Sequence, residues 1–320
     1  MSTRNGPILV TGAAGFIGSH VAGALARRGE RVIGLDNFDP FYSRVLKEAN
    51  WSEAGGGAVL VEGDFTDGLF VRRVFETYKP AGVIHLGAKA GVRPSLADPA
   101  GYMHANVTGT ATVLSEASRA GASRVVVASS SSVYGNSPTS PFSETQDVSR
   151  PISPYAASKL ACEALGHAHH AATGLPVAML RFFTVYGPRQ RPDLAIVSFM
   201  RRIAKGEPIT LFGDGSTSRD YTFIDDIVAG VLASYDSIPR HGFRVWNLGN
   251  NRPVSLAEVV GAIERTVGRS AEVQRAPMQT GDVERTCADI ERSRAELGYA
   301  PRTGFEDGLA RQWEWLRPRV

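Results

Sequence analysis

Tyr155 and Lys159 lie four residues apart, in Tyr155-Ala156-Ala157-Ser158-Lys159, and share one face of any helix that contains them. A free tyrosine phenol, with a pKa of about 10, is a poor base at neutral pH. An ammonium one turn away favours the phenolate, and such a pair can move a proton on and off a hydroxyl. Ser130 stands before this helix, in Ala128-Ser129-Ser130-Ser131-Ser132-Val133-Tyr134-Gly135, at the end of an apolar run. Its hydroxyl is expected to share the reacting oxygen with Tyr155. The spacing alone also arises in exposed pairs on helix surfaces, so its weight depends on what precedes it.

What precedes it is a glycine loop. Thr11-Gly12-Ala13-Ala14-Gly15-Phe16-Ile17-Gly18 joins an apolar strand to a helical stretch. Glycine lets the backbone approach a pyrophosphate, whose charge is met by the free amides of a helix N-terminus. The spacing is GxxGxxG, and Gly12, Gly15, Phe16, Ile17 and Gly18 are the expected phosphate-side residues. The next strand ends in Asp36-Asn37. A carboxylate there accepts hydrogen bonds from ribose hydroxyls and repels a 2′-phosphate, which favours NAD over NADP. Asp64-Phe65, after the third strand, is placed beside an adenine; plain loop capping by Asp64 fits that position equally well.

These residues need a scaffold that brings strand ends together. Short apolar runs at 8–11, 31–36, 59–62, 82–86, 124–128 and 177–181 alternate with helical patterns at 16–28, 67–78, 99–120 and 154–173. That alternation predicts an α/β fold, a doubly wound parallel sheet with helices on both faces. Residues 1–180 form the expected dinucleotide-binding domain, and 223–248 return to it through a helix and the strand 243–247. Residues 181–222 and 249–320 form a second, smaller α/β substrate domain. Gly55-Gly56-Gly57 reads as a loop tip, and there are no internal repeats.

Composition narrows the partners. Over 320 residues, 43% are hydrophobic and 21% charged, as in a globular protein. A net charge of +3 with scattered arginines argues against a nucleic-acid partner. Cys162 and Cys287 make no disulfide framework. No signal-peptide core precedes the first strand, and no apolar run approaches the roughly 20 residues that span a bilayer. The expectation is a cytoplasmic protein without a membrane partner. His167 and His170 share a helix face, but a wet helix or a subunit interface explains them better than a metal, and no metal is expected. Cys162, one turn past Lys159, reads as packing, and Trp313 and Trp315 as anchors of the last helix.

The chain resembles the extended short-chain dehydrogenase/reductases of the nucleotide-sugar epimerase and dehydratase group, nearly end to end. The resemblance rests on Val10 to His20, His85-Leu86-Gly87-Ala88, His104-Ala105-Asn106-Val107-Thr108-Gly109-Thr110, and the serine run with Tyr155 and Lys159. Farther on it includes Leu180 to Pro188, Arg219-Asp220-Tyr221-Thr222 and Gly281-Asp282. It implies that Leu86, Ala88, Lys89 and Asn106 line the cofactor and that Arg219 binds a diphosphate, with Asp282 also at the substrate. A surface ion pair is the alternative for Arg219. The group usually has Ala-Ala and an uncharged residue where this chain has Gly87-Ala88-Lys89. The resemblance further implies a homodimer, in which helices 98–120 and 153–173 pair with those of a second copy.

Within the group, dehydratases and decarboxylases carry Asp or Glu just before the Val-Tyr-Gly, as an extra acid or base. Here Ser131 and Ser132 stand there. That leaves oxidation and re-reduction, an epimerisation at carbon 4 of a UDP-sugar. The chain resembles the UDP-glucuronate 4-epimerases most, through Ala90-Gly91-Val92-Arg93-Pro94-Ser95, the serine run, and Arg181 to Asp193. Arg93 is expected at the substrate. Ser131, Ser132, Thr184 and Arg191 are expected to hold a sugar carboxylate; for Arg191, a diphosphate contact or a solvated loop position also fits. Such a clamp is chemically sensible. The 4-keto form of a uronic acid is a β-keto acid, which loses CO₂ when its carboxylate bond stands perpendicular to the carbonyl plane. A rigid grip prevents that orientation. A neutral-sugar epimerase acting on UDP-glucose is the alternative enzyme. A dinucleotide sensor without catalysis is the alternative of another class, which loss of Tyr155 or Lys159 would signal.

Overall fold

The computed structural model describes residues 6–54, 57–277 and 283–320. The chain runs β1 (Ile8–Thr11), α1 (Phe16–Arg27), β2 (Val32–Asp36), α2 (Arg44–Ala54), β3 (Val59–Glu62), α3 (Gly68–Tyr78) and β4 (Gly82–His85). It continues through α4 (Val92–Ala97), α5 (Pro99–Met103), α6 (Gly109–Arg119), β5 (Val125–Ser130), α7 (Pro154–Thr173), β6 (Val177–Phe182), β7 (Thr184–Tyr186), α8 (Ala195–Lys205) and β8 (Ile209–Phe212). The last elements are β9 (Ser218–Phe223), α9 (Ile224–Ser237), β10 (Phe243–Leu248), β11 (Pro253–Ser255), α10 (Leu256–Val267), β12 (Val273–Ala276), α11 (Glu291–Leu297) and α12 (Phe305–Leu316).

Seven strands form one parallel sheet in the order β3-β2-β1-β4-β5-β6-β10. This is the doubly wound fold the alternation predicts. Strands β1, β4 and β5 are buried along almost their whole length because helices cover both faces. Two apolar clusters result, one on each side of the sheet. The order reverses between β1 and β4, and a crevice opens there at the carboxyl ends of the strands. Thr11, Asp36, His85 and Ser130 all end strands at that edge.

Beyond the sheet, β11-β9-β7 and β12-β8 form two small sheets that the loose pattern after residue 181 did not resolve. Helix α2 was likewise invisible to the hydrophobic pattern, since only Lys47, Asn50 and Ala54 of it are fully buried. The expected helix 99–120 is interrupted. Residues His104–Thr108 form a π-turn between α5 and α6, and such insertions often sit at functional sites. Residues 55 and 56 of the glycine run, with Gly281 and Asp282, lie outside the described residues. Among the described residues no helix is long and apolar enough to cross a membrane. None of their His, Cys, Asp and Glu side chains gather in a group of three or more able to hold a metal ion.

Candidate active site

A cleft of about 850 Å³ runs along the carboxyl edge of the sheet, from Asp36 to Ser130, and is closed on the far side by Thr184, Arg191 and Arg219. At its floor Gly12 has φ +64°, and a Cβ there would lie 2.8 Å from the backbone of Gly87. Only glycine fits this left-handed turn without strain. A Cβ on Gly18 would come 2.0 Å from the Gly12 carbonyl, so the helix lies directly on the loop. Gly15 stands at the N-cap of α1 and brings no side chain to the first amides of the helix. That is a cradle for an anion.

Asp36 is buried at the next strand end. Its Oδ2 accepts the Ala14 amide at 3.0 Å and its Oδ1 the Phe38 amide at 2.9 Å. Burial pushes its pKa up, and the two amides and Lys47 work against that rise. A carboxylate offers about four lone-pair positions, so two amides leave room for a diol. Asn37 donates to Asp64 Oδ2 at 3.1 Å, while Asp64 Oδ1 accepts the Thr66 amide at 2.8 Å. Asp64 therefore caps its own loop and lines the cleft as well. Phe65 packs edge-on against His85, their rings 5.1 Å apart. His85 sits 2.6 Å from Thr11 Oγ1 through Nδ1, and burial, with the charge of Lys159, drops its pKa to about 3. It is a neutral prop under the cleft. The cradle, the helix end without a capping side chain and the available carboxylate fit a dinucleotide.

Helix α7 starts where Ser153 Oγ accepts the Ala156 amide at 3.1 Å, with Pro154 at its first position. Tyr155 comes next; its amide donates to Ser95 Oγ at 3.1 Å, and its ring meets Tyr102 edge-on at 6.2 Å. Lys159, buried one turn on, donates from Nζ to the Ala128 carbonyl at 2.8 Å. The same wall carries Ser130, whose Oγ accepts the Ser132 amide at 3.2 Å, together with Ser131 and Leu86, Ala88 and Lys89 from the β4 end. The Ser132 hydroxyl is buried with no partner among the described residues. Lys89 pairs with Asp98 at 2.8 Å, which raises its pKa.

Three expectations change. Asn106 does not face the cleft; it lies behind the wall. It accepts the Lys89 amide at 2.8 Å, donates to the Lys89 carbonyl at 3.0 Å, and donates to Ser158 Oγ at 2.9 Å. The π-turn rotates it inward, where it staples the β4 end to α7. Arg93 is not among the residues that line the cleft, and its guanidinium lies 5.2 Å from the centre of the Phe212 ring. Arg191 lines the cleft, but its fork is taken. Nε and Nη2 donate to Asp193 at 3.0 and 2.7 Å, and Nη1 reaches the Ala90 carbonyl only at 3.5 Å. Burial disfavours its charge, yet Asp193 holds its pKa above the usual value. Arg219 lines the cleft and donates to the Ser218 carbonyl at 2.9 Å.

Sequence reading missed several lining residues. Tyr42 places a buried hydroxyl, without a partner among the described residues, near Gly15, and Lys47 lies over its ring at 4.8 Å, donating to the Asp39 carbonyl at 2.7 Å. Phe41 covers Arg191 at 4.9 Å, and Tyr102 donates to the Ala90 carbonyl at 3.2 Å. A cluster of aromatic and basic residues just after an Asp-ended strand is the signal that was available.

UDP-glucuronate 4-epimerase 3 of Arabidopsis thaliana is 41% identical across 98% of this chain and 77% of its own length. UDP-glucuronate 4-epimerase of Thermodesulfobacterium geofontis is 39% identical across 98% of this chain and 97% of its own. The crystal structure of UDP-glucuronic acid 4-epimerase from Bacillus cereus, in complex with UDP-glucuronic acid and NAD, superposes with a TM-score of 0.91. Its identity is 33%, over 98% of this chain and all (100%) of that one. The sequence profile of the NAD dependent epimerase/dehydratase family matches residues 8–249, and with that cleft and these relatives the chain belongs to this family.

Proposed function

We propose that the protein is an isomerase that interconverts UDP-glucuronate and UDP-galacturonate by inverting carbon 4. The observation that carries the uronate reading is the Ser132 hydroxyl, which has no partner among the described residues and belongs to the wall of the cleft that Tyr155, Thr184 and Arg191 also line. A buried hydroxyl left unpaired costs free energy, and a sugar carboxylate removes that cost. The relatives, which carry this activity in their names, support the same reading.

NAD, when bound, supplies the two-electron oxidation of carbon 4 and its reversal. Gly12, Gly15, Phe16, Ile17 and Gly18 hold its pyrophosphate, Asp36 and Asn37 its adenosine ribose, and Asp64 and Phe65 flank the adenine. Leu86, Ala88 and Lys89 form the wall toward the sugar. Tyr155 accepts the proton of the 4-hydroxyl and returns it after the sugar has turned over. Lys159 keeps a positive charge in the same cleft, and Ser130 shares the oxygen at carbon 4. Ser131, Ser132 and Thr184 grip the carboxylate, and Arg191 adds the N–H groups that Asp193 leaves and its charge. Arg219 holds the diphosphate, within a substrate region made of residues 181–222 and 249–320. Asp282 belongs to the same proposed region.

A neutral-sugar reading has one observation in its favour: Asp193 already occupies the Arg191 fork. Incubation of the protein with UDP-glucuronate and UDP-glucose separately, followed by separation of the products, decides between them. UDP-galacturonate as the main product supports the first reading, and UDP-galactose alone the second. The homodimer is proposed through α5, α6 and α7, where Met103 is exposed, and sedimentation tests it. Both cysteines are buried free thiols, which suits the reducing cytoplasm we propose.

A further inference from the structure

The loop between β7 and α8 delivers Arg191 to the cleft, and its preceding residues are fastened elsewhere. The Pro188 carbonyl lies 2.9 Å from His20 Nε2. Gln190 donates to the Val185 carbonyl at 2.9 Å and accepts from Gln312 at 2.7 Å. Between them, Arg189 has φ +63°, a left-handed conformation that a residue with a Cβ rarely adopts. Its side chain is 12% exposed and reaches out of the loop to the end of α2. There its Nε donates to Glu53 Oε2 at 3.1 Å, and Nη1 lies 3.4 Å from Ser19 Oγ. Glu53 also accepts Trp315 Nε1 at 3.1 Å and Arg319 Nη2 at 2.9 Å. One carboxylate thus joins the first α/β unit, the strained loop and the C-terminal helix.

We infer that Glu53 is a positioning residue for Arg191. By holding Arg189 in its left-handed turn, it fixes where the guanidinium two residues on enters the cleft. Backbone strain of this kind persists only where the surroundings over-determine it, and here the surrounding group is the Glu53 carboxylate, exposed on one side but held by Trp315 and Arg319 as well as by Arg189. The inference rests on the proposed reading in that Arg191 meets the sugar carboxylate. A tie that merely holds α2 to the C-terminal helix has no need of a left-handed Arg189.

Arg189→Ala, Arg189→Gly and Glu53→Gln separate the two roles in the full-length protein. Steady-state kinetics on UDP-glucuronate are measured for each, with urea unfolding as a check on stability. Arg189→Ala keeps the strain and loses the anchor, so kcat/KM is expected to fall about tenfold, and Glu53→Gln is expected to fall likewise. Arg189→Gly loses the same ion pair but takes the left-handed turn at no steric cost, so it recovers most of that loss. Alanine at the wild-type rate, or glycine no better than alanine, overturns the inference and leaves the epimerase reading standing. A wild type without activity on UDP-glucuronate overturns the reading itself.

Discussion

Arg191→Ala removes a guanidinium that shares the cleft with Tyr155, Ser132 and Thr184. A free fork on a carboxylate is worth about 1.5–3 kcal/mol, or roughly tenfold to a hundredfold in turnover. The structure places this arginine at the low end. Asp193 takes Nε and Nη2 at 3.0 and 2.7 Å, and only Nη1, 3.5 Å from the Ala90 carbonyl, is loosely held. The Asp193 charge also offsets most of the Coulomb attraction for a second carboxylate. The Nη1 hydrogens and the second hydrogen of Nη2 remain, and against the Asp193 charge they are worth about 1.5 kcal/mol together. The expected result is therefore a loss of about tenfold in kcat/KM for UDP-glucuronate, with UDP-glucose turnover nearly unchanged. A loosened carboxylate samples the perpendicular geometry, so the variant also leaks a 4-keto pentose by losing CO₂. The assay compares kcat/KM for both sugars in wild type and variant, with products separated chromatographically. Equal losses on the two sugars refute the carboxylate contact. A loss of about a hundredfold on the uronate alone shows that Asp193 surrenders the fork, against the geometry described.

Tyr155→Phe is expected to lower kcat by about a hundredfold or more while NAD and UDP-sugar still bind, and a kcat near wild type refutes the proton-transfer role. Gly12→Ala puts a Cβ 2.8 Å from the Gly87 backbone at φ +64°, so the purified variant should release little NAD on denaturation; a full complement contradicts the cradle. Glu163→Gln breaks the buried pair in which Arg181 Nη2 donates at 2.7 Å, an expected loss of about 3–5 kcal/mol in urea unfolding, and a loss below about 1 kcal/mol shows the pair is not the buried anchor it resembles. His20 is half-buried and its pKa is lowered to about 4 by desolvation and the charge of Arg189, so below its unfolded value near 6.5 the unfolded chain binds the extra proton and stability falls as pH drops from about 6.5 to 4. His20→Gln keeps a donor toward Pro188 and should flatten that slope; an unchanged slope shows that other groups carry it.

What the sequence determined by itself is what lies within one element or across one turn. The Tyr155–Lys159 pair needs only helical periodicity, and the glycine loop only a strand, a turn and a helix in order. The Ser131-Ser132 pair, which lacks the dehydratase acid, is likewise a local fact. The parallel sheet follows from alternation, and so does its crevice. The rest was decided by which distant partner reaches a group first. Asn106 turns to the Lys89 backbone because the π-turn rotates it off the cleft-facing side. Arg93 finds the Phe212 ring in another sheet. Tyr42 and Lys47 enter the cleft from a loop and a helix with little apolar pattern, since α2 packs through few residues. Asp193 and Arg191 are neighbours in the chain, yet only the folded loop shows that their charges meet, because sequence records that a guanidinium is present and packing alone records how much of it is left for a ligand.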